Sequence, residues 1–348
     1  MGEVCTMSKR RSDISILSLL LISLLFLNGC TIKVPKLFPK EIRISNLPAE
    51  ALLVDKDAIF DRTSNLIQSA KTSIYVEQSE FDDARLIQLL ISKSSSGVDV
   101  RILLDQWQKV NRSTLDLLKN QNVSVQFYPA QKGQNNHTKY LVVDQTQAII
   151  YGPPWTEHGF QAHDLAVELS GRSAWKAAGL FSKDWEFTTT FPLNVPKESP
   201  LPEDNIVLAM NANVREQLAN QIASSTKSIW IECSEITDPD LVQALIDAAG
   251  KGCDVRLILD RSVTTKNPVT RETLSAAKGV QIRYYPSQPT LGMNLGIFDN
   301  KSFVLSSSGW TRYSFLANHE FSTTVPSLVA SLRLGEIFKQ DWEKCSAE

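Results

Sequence analysis

Cysteine is scarce, five in 348 residues, and no cluster of cysteine and histidine shows metal-ligand spacing; no metal and no cofactor is expected. Cys233, Cys253 and Cys345 lie in the body of the chain, an odd number, so at least one is free; buried small hydrophobes suit the strand-like surroundings of Cys233 and Cys253, and one disulfide stays open. No long basic run occurs. Lys and Arg number 36 against 38 Asp and Glu, a net charge of −2, so nothing announces a nucleic-acid binder, although a local groove could still be positive. The one long apolar run, Ile14 to Leu27, holds 14 residues, interrupted by Ser15, Ser18 and Ser23. At ~1.5 Å rise it falls short of a hydrocarbon core of ~30 Å.

That run follows Lys9, Arg10 and Arg11 and precedes Leu27-Asn28-Gly29-Cys30, which has the layout of an export signal. The tetrapeptide resembles a bacterial lipobox. The resemblance implies diacylation of Cys30, a mature chain that starts there, and a lipoprotein at the cell envelope facing the periplasm or the exterior. An uncleaved type II signal-anchor is the alternative. Residues 30–50 are polar, basic and dotted with Pro35, Pro39 and Pro48, and read as a tether.

From Ala51 onward the chain repeats itself at a separation of 155 residues. Ser73-Ile74-Tyr75-Val76-Glu77 matches Ser228-Ile229-Trp230-Ile231-Glu232, and Gly97 to Asp105 matches Gly252 to Asp260. Asp144 falls on Asp299 and Trp155 on Trp310 at the same separation. Each copy alternates helical and extended periodicity, which predicts α/β folding with crossover connections. The expected layout is a signal (1–29), a tether (30–50), a first domain (51–192), a linker (193–204) and a second domain (205–348). Two copies of one domain are expected to pack about a pseudo-two-fold axis within a monomer.

Within the first copy, His137-Thr138-Lys139 leads into the strand-like Leu141-Val142-Val143 and ends at Asp144. On an extended chain, residues i and i+2 share a face, so His137 and Lys139 point together while Thr138 points away. An imidazole and an ammonium aimed at one spot suit a phosphate, which the first can attack and the second can neutralise.

This His-x-Lys-x(4)-Asp stretch resembles the signature of the phospholipase D superfamily, and its wider run is similar to the animal and poxviral branch, which includes exonuclease-like members. The resemblance implies two mixed sheets flanked by helices, an active site on the pseudo-two-fold, and metal-independent phosphodiester chemistry. In that scheme His137 attacks phosphorus, Lys139 steadies the equatorial oxygens, and Asp144 is mainly a structural acid at the strand end. Asn318-x-Glu320 resembles the closing polar pair, which implies that Glu320 crosses the interface to hold His137 by Nδ1. Asp164 is its mirror image.

The second copy departs from the pattern. Gly292 and Asn294 stand where His and Lys belong; glycine has no proton to give, and asparagine can donate a hydrogen bond but brings no charge. Asn294, Asn318 and Asp164 are therefore candidate substrate contacts. The asparagines of the family's Gly-Ser-x-Asn element are absent from both copies. His158, His163 and His319 are expected at the surface or in packing, with His319 on the opposite side of its strand from Glu320. The matched Glu77 and Glu232 read as a repeated structural feature.

Three functions remain. Phospholipid is the expected substrate, because a lipid-anchored enzyme meets headgroups at high local concentration. Hydrolysis of single-stranded nucleic acid is the first alternative. A degenerate envelope protein that binds lipid or phosphate is the second.

Overall fold

The computed structural model describes residues 44–199, 201–261 and 268–347; the stretch expected to be an export signal, and Cys30, lie outside them. The repeat becomes two seven-stranded mixed sheets. In the first, β1 (Leu52–Val54), β2 (Ser73–Gln78), β3 (Asp99–Asp105), β4 (Ser124–Tyr128), β5 (Tyr140–Val143), β6 (Gln147–Tyr151) and β7 (Leu165–Ser170) lie in the order β1-β7-β6-β5-β2-β3-β4. The second holds β8 (Val207–Met210), β9 (Ser228–Cys233), β10 (Asp254–Asp260), β11 (Val280–Tyr285), β12 (Asn294–Phe298), β13 (Ser302–Ser306) and β14 (Phe321–Val325). Its order, β11-β10-β9-β12-β13-β14-β8, is the same one read from the other edge.

Three strands in each sheet run parallel: β2, β3 and β4, and their counterparts β9, β10 and β11. Parallel neighbours need crossovers, supplied by helices such as Ala84–Ser95 and Pro239–Gly250. Both helices start on an aspartate. Asp83 accepts from the backbone N–H groups of Arg85 and Leu86, and Asp238 from those of Asp240 and Leu241. Because helices cover both faces, β2, β5, β9 and β12 are buried along their whole length and show no alternation.

Apolar side chains pack in three clusters. One fills the space between the sheets, with Tyr75, Tyr140, Phe181 and Trp185 meeting Trp230, Phe321, Phe338 and Trp342. The other two lie on the outer faces, around Trp155 and around Trp310, both fully buried. Cys233, Cys253 and Cys345 are free and buried. Among the described residues, no helix is long and apolar enough to cross a membrane.

The halves also exchange backbone. Asn136 forms a parallel bridge with His319, and His163 forms one with Leu291. His137 N–H donates to the His319 carbonyl, and Gly292 N–H to the His163 carbonyl, both at 2.9 Å. The segment before β5 thus meets the segment before β14, and reciprocally the segment before β7 meets the one before β12. This reciprocity is the mark of a two-fold relation. It sets His137 and Gly292 at equivalent places on either side of the axis.

Candidate active site

His137 and Lys139 sit on the three extended residues that lead into β5. Thr138, between them, is buried and held by Asn136 Oδ1, which accepts from its N–H at 3.0 Å. Asn136 is itself anchored by donating to Glu77 at 2.7 Å. The approach to the strand is therefore fixed by buried polar bonds.

The His137 ring is 27% exposed, whereas Glu320 is 1% exposed. His137 Nδ1 donates to Glu320 Oε1 at 2.8 Å, which leaves Nε2 as the free, basic nitrogen. Glu320 also accepts from Ser307 Oγ, and from Asn318 Nδ2 at 3.2 Å. Burial alone would raise its pKa. The bond and charge of His137, with the serine hydroxyls, outweigh burial and hold it below the usual carboxylate range.

Lys139 is 6% exposed. Its Nζ donates to the carbonyls of His137 and Ser307. Burial lowers its pKa, against the pull of Glu320, Asp164 and Glu80. An ammonium has three N–H groups, so two bonds leave one for a phosphate oxygen.

Asp144 lies at the far end of β5 and does not join this group. Its Oδ1 accepts from the N–H groups of Thr72 and Ser73 at 2.7 and 3.0 Å, and its Oδ2 from that of Lys71 at 3.0 Å. Against the upward push of burial, the Ser73 and Thr72 bonds keep its carboxyl acidic. Asp299 repeats this cap at residues 226–228. Both are loop clamps, so Asp144, named with the catalytic signature but read as mainly structural, belongs to the frame and not to the reacting group.

Two expected substrate contacts are likewise committed elsewhere. Asn294 Oδ1 accepts from Ser234 N–H and Oγ, and its Nδ2 donates to the Gly292 carbonyl. It faces its own sheet because no lysine-length chain carries it to the axis. Asn318 braces Glu320 and, through Oδ1, accepts from Asn135 N–H at 3.0 Å. Asp164 is 2% exposed and lies against Gly292 and Gly152.

Two buried groups were not foreseen as ion pairs. His163 donates through Nδ1 to Asp55 at 2.7 Å and through Nε2 to Asp341 at 3.0 Å, stacked on Tyr285. Burial would lower its pKa, but the two aspartates lift it to about 10. His319 lies stacked on Tyr128, with Nε2 at 3.1 Å from Asp184 and 3.9 Å from Glu77. The ligand-type atoms of Glu77, Asp184 and His319 lie within 4.8 Å of one another, as do those of His163, Glu232 and Asp341. His163, which donates from both nitrogens, has no lone pair left for a cation, and both histidines form ion pairs that join the two halves. His158 is exposed. A sequence signal existed: His163 and His319, Asp184 and Asp341, and Glu77 and Glu232 occupy matched places, though only the fold shows that each histidine reaches the other half.

Glu77 and Glu232 differ in one respect. Glu77 accepts from Asn136 Nδ2 and from Tyr140 OH, both at 2.7 Å. The counterparts of those donors are Leu291 and Leu295, and both oxygens of Glu232 lack a partner. Burial raises Glu77 to about 7 and Glu232 to about 8. A cavity of about 220 Å³, lined by Tyr128, Gln134, Phe187, Asn318 and His319, lies beside this region.

A duplicated α/β fold thus carries one His-Lys pair on its pseudo-two-fold, gripped by an acid from the opposite half. The family model described as cardiolipin synthase, PLD-like domain, matches residues 64–185 and 218–342, and the chain belongs to that family, within the phospholipase D superfamily. Cardiolipin synthase 2 of Bacillus cereus is 25% identical over 338 residues, 84% of this chain and 64% of that protein. Cardiolipin synthase A of Pseudomonas putida is 26% identical over 307 residues, 78% of this chain and 63% of the other. The chain thus spans less than two thirds of the length of these relatives. The crystal structure of phosphatidylserine synthase from Haemophilus influenzae superposes with a TM-score of 0.67 at 12% identity, covering 86% of this chain and 88% of that one. At that identity the likeness shows the fold alone.

Proposed function

We propose that the protein is a phospholipase D-type phosphodiesterase that acts on phospholipids at a membrane surface. The observation that carries this reading is the His137–Glu320 bond across the two halves, with Lys139 beside it. Neutral His137 Nε2 attacks phosphorus and forms a phosphohistidine. Glu320 fixes the tautomer and stabilises the positive charge that develops on the ring. The remaining N–H of Lys139 meets the charge that builds on the equatorial oxygens. Water then cleaves the P–N bond.

Support for phospholipid as substrate comes from the curated relatives, named for cardiolipin synthesis, and from the lipobox-like Leu27-Asn28-Gly29-Cys30, whose acylation would hold the site near headgroups. The net charge of −2 gives little support to the nuclease alternative. The test is headgroup release from phosphatidylglycerol vesicles by the purified full chain, with His137→Ala as control. Release that vanishes in the variant supports the reading. Cleavage of single-stranded DNA in preference to vesicles would move the substrate class to nucleic acid. Vesicle binding without turnover of any diester would leave a lipid-binding protein.

A further inference from the structure

We propose that Asp164 protonates the leaving group, in the place of the histidine that the second half lacks. The inference rests on the phosphodiesterase reading above and assigns that reaction its missing acid.

The argument starts from two glycines. A Cβ built on Gly292 would stand 2.3 Å from Asp164 Oδ2, and one built on Gly152 would stand 1.9 Å from Asp164 Oδ1. The mirror positions hold His137 and Ser307, whose side chains grip Glu320 from both sides. A carboxylate that only oriented an imidazole at 292 would lie roughly 4–5 Å from that Cβ, given ordinary ring size and a hydrogen bond of about 2.8 Å. Asp164 has instead moved into the room that both missing side chains leave. Among the described residues, its one side-chain hydrogen bond is from Leu165 N–H to Oδ1, at 2.7 Å.

The same shift sets its protonation. Glu320 is held ionised by the groups that grip it. Asp164 has lost those groups, and burial pushes it to about 7, against the Leu165 bond and the charges of Lys139 and His163, with Asp55 adding to the rise. Two acids at equivalent places thus carry different protons at neutral pH, an arrangement that separates acid from base in other two-acid sites. The Lys139 ammonium interacts with both Glu320 and Asp164, so the acids share one electrostatic site.

In the first step, His137 Nε2 forms a bond to phosphorus while the P–O bond of the leaving group breaks. The departing oxygen keeps the electron pair and takes the proton of the Asp164 carboxyl. In the second step, the Asp164 carboxylate takes a proton from water as that water attacks phosphorus, and the P–N bond breaks. The enzyme returns with neutral His137 and protonated Asp164.

The experiment compares two diesters in the full chain: bis(p-nitrophenyl) phosphate, whose leaving group needs no proton, and phosphatidylglycerol in vesicles, whose alkoxide does. Asp164→Asn should lower the ratio of alkyl to activated leaving-group release, measured in the first turnover before water attacks, by about 100-fold, the ordinary contribution of a general acid. The wild-type rate on the alkyl diester should fall as pH rises past about 7, and the activated diester should lack that alkaline limb. Gly292→Ala, which forces Asp164 off its place, should lower the ratio in the same direction, so the result does not depend on one variant folding well. An unchanged ratio in a folded Asp164→Asn protein, whether both rates fall together or neither does, overturns the proposal while leaving the phosphodiesterase reading intact. Absence of any His137-dependent release of p-nitrophenol in the wild type overturns both.

Discussion

At matched positions about the pseudo-two-fold, the first half holds His137, Lys139 and Tyr140 where the second holds Gly292, Asn294 and Leu295. Away from the axis the halves agree: the same strand order, the same aspartate caps on their crossover helices, the same loop clamps at Asp144 and Asp299. The frame is carried by strand pattern and by acids that bind backbone. The chemistry is carried by a few side chains that reach the axis and have little part in holding the sheets. The second half can therefore lose its reactive groups and keep its shape. Its frame still contributes to the reaction, because Glu320 and Ser307 belong to it.

The largest effect that would break this comparison is at His137. His137→Ala is expected to lower diester turnover by at least about 10⁴-fold, as loss of a nucleophile does. A surviving rate above about 1% of wild type would place the nucleophile elsewhere. Next comes Glu320→Gln, which keeps the shape but removes the charge that holds the imidazole. A fall in kcat of about 10²–10⁴-fold with little change in KM is expected, and a change confined to KM would make Glu320 a substrate contact.

The frame gives smaller effects, equal in both halves. Asp144→Asn and Asp299→Asn should each cost about 1–3 kcal/mol of stability, because each removes the charge and replaces one accepting oxygen by a donor that faces a backbone N–H, and Asp144→Asn should leave kcat unchanged. Both carboxyls lie below their ordinary value in the fold. Their contribution is present above the unfolded pKa near 3.8 and lost as pH falls through the folded one, so the variants should converge with wild type in acid melts. Convergence at alkaline pH instead would contradict the clamp.

The smallest expected effect differs in sign between the halves. Glu77 is bonded and Glu232 is not. Glu232→Gln should be neutral or raise Tm, and Glu77→Gln should lower it by the equivalent of about 1 kcal/mol. Glu232 titrates at about 8 in the fold against 4.5 unfolded, so its native form keeps a proton that the unfolded chain loses. Its penalty therefore grows as pH rises from 4.5 to about 8, and the gain from Glu232→Gln should grow with it. Equal losses at the two positions would show that Glu232 has a partner in solution.

Much of this was legible in the residues. The 155-residue repeat announced the duplicated sheets, and its alternation of helical and extended periodicity announced crossovers such as Ala84–Ser95 and Pro239–Gly250. The spacing of His137 and Lys139, with the family resemblance of Asn318-x-Glu320, pointed to a group that the structure brings together. What could not be read depends on which side chain is absent nearby. Asp164 is a strand-end acid in the sequence, and only the room beside Gly152 and Gly292 lets it move in. Asn294 aligns with a catalytic lysine, yet Ser234 and Cys233 engage it first. The ion pairs of His163 and His319 join residues more than 100 positions apart, beyond any local pattern.

The central claim is that one half supplies the nucleophile and the other holds it. The most direct measurement is alkaline-quench trapping of the covalent intermediate with an activated diester, followed by mass mapping of the adduct without exposure to acid. One phosphoryl adduct per chain, on His137 and absent from His137→Ala, is the result expected. An adduct on His163 or His319, or turnover of the diester with no adduct at any quench time, would contradict the account.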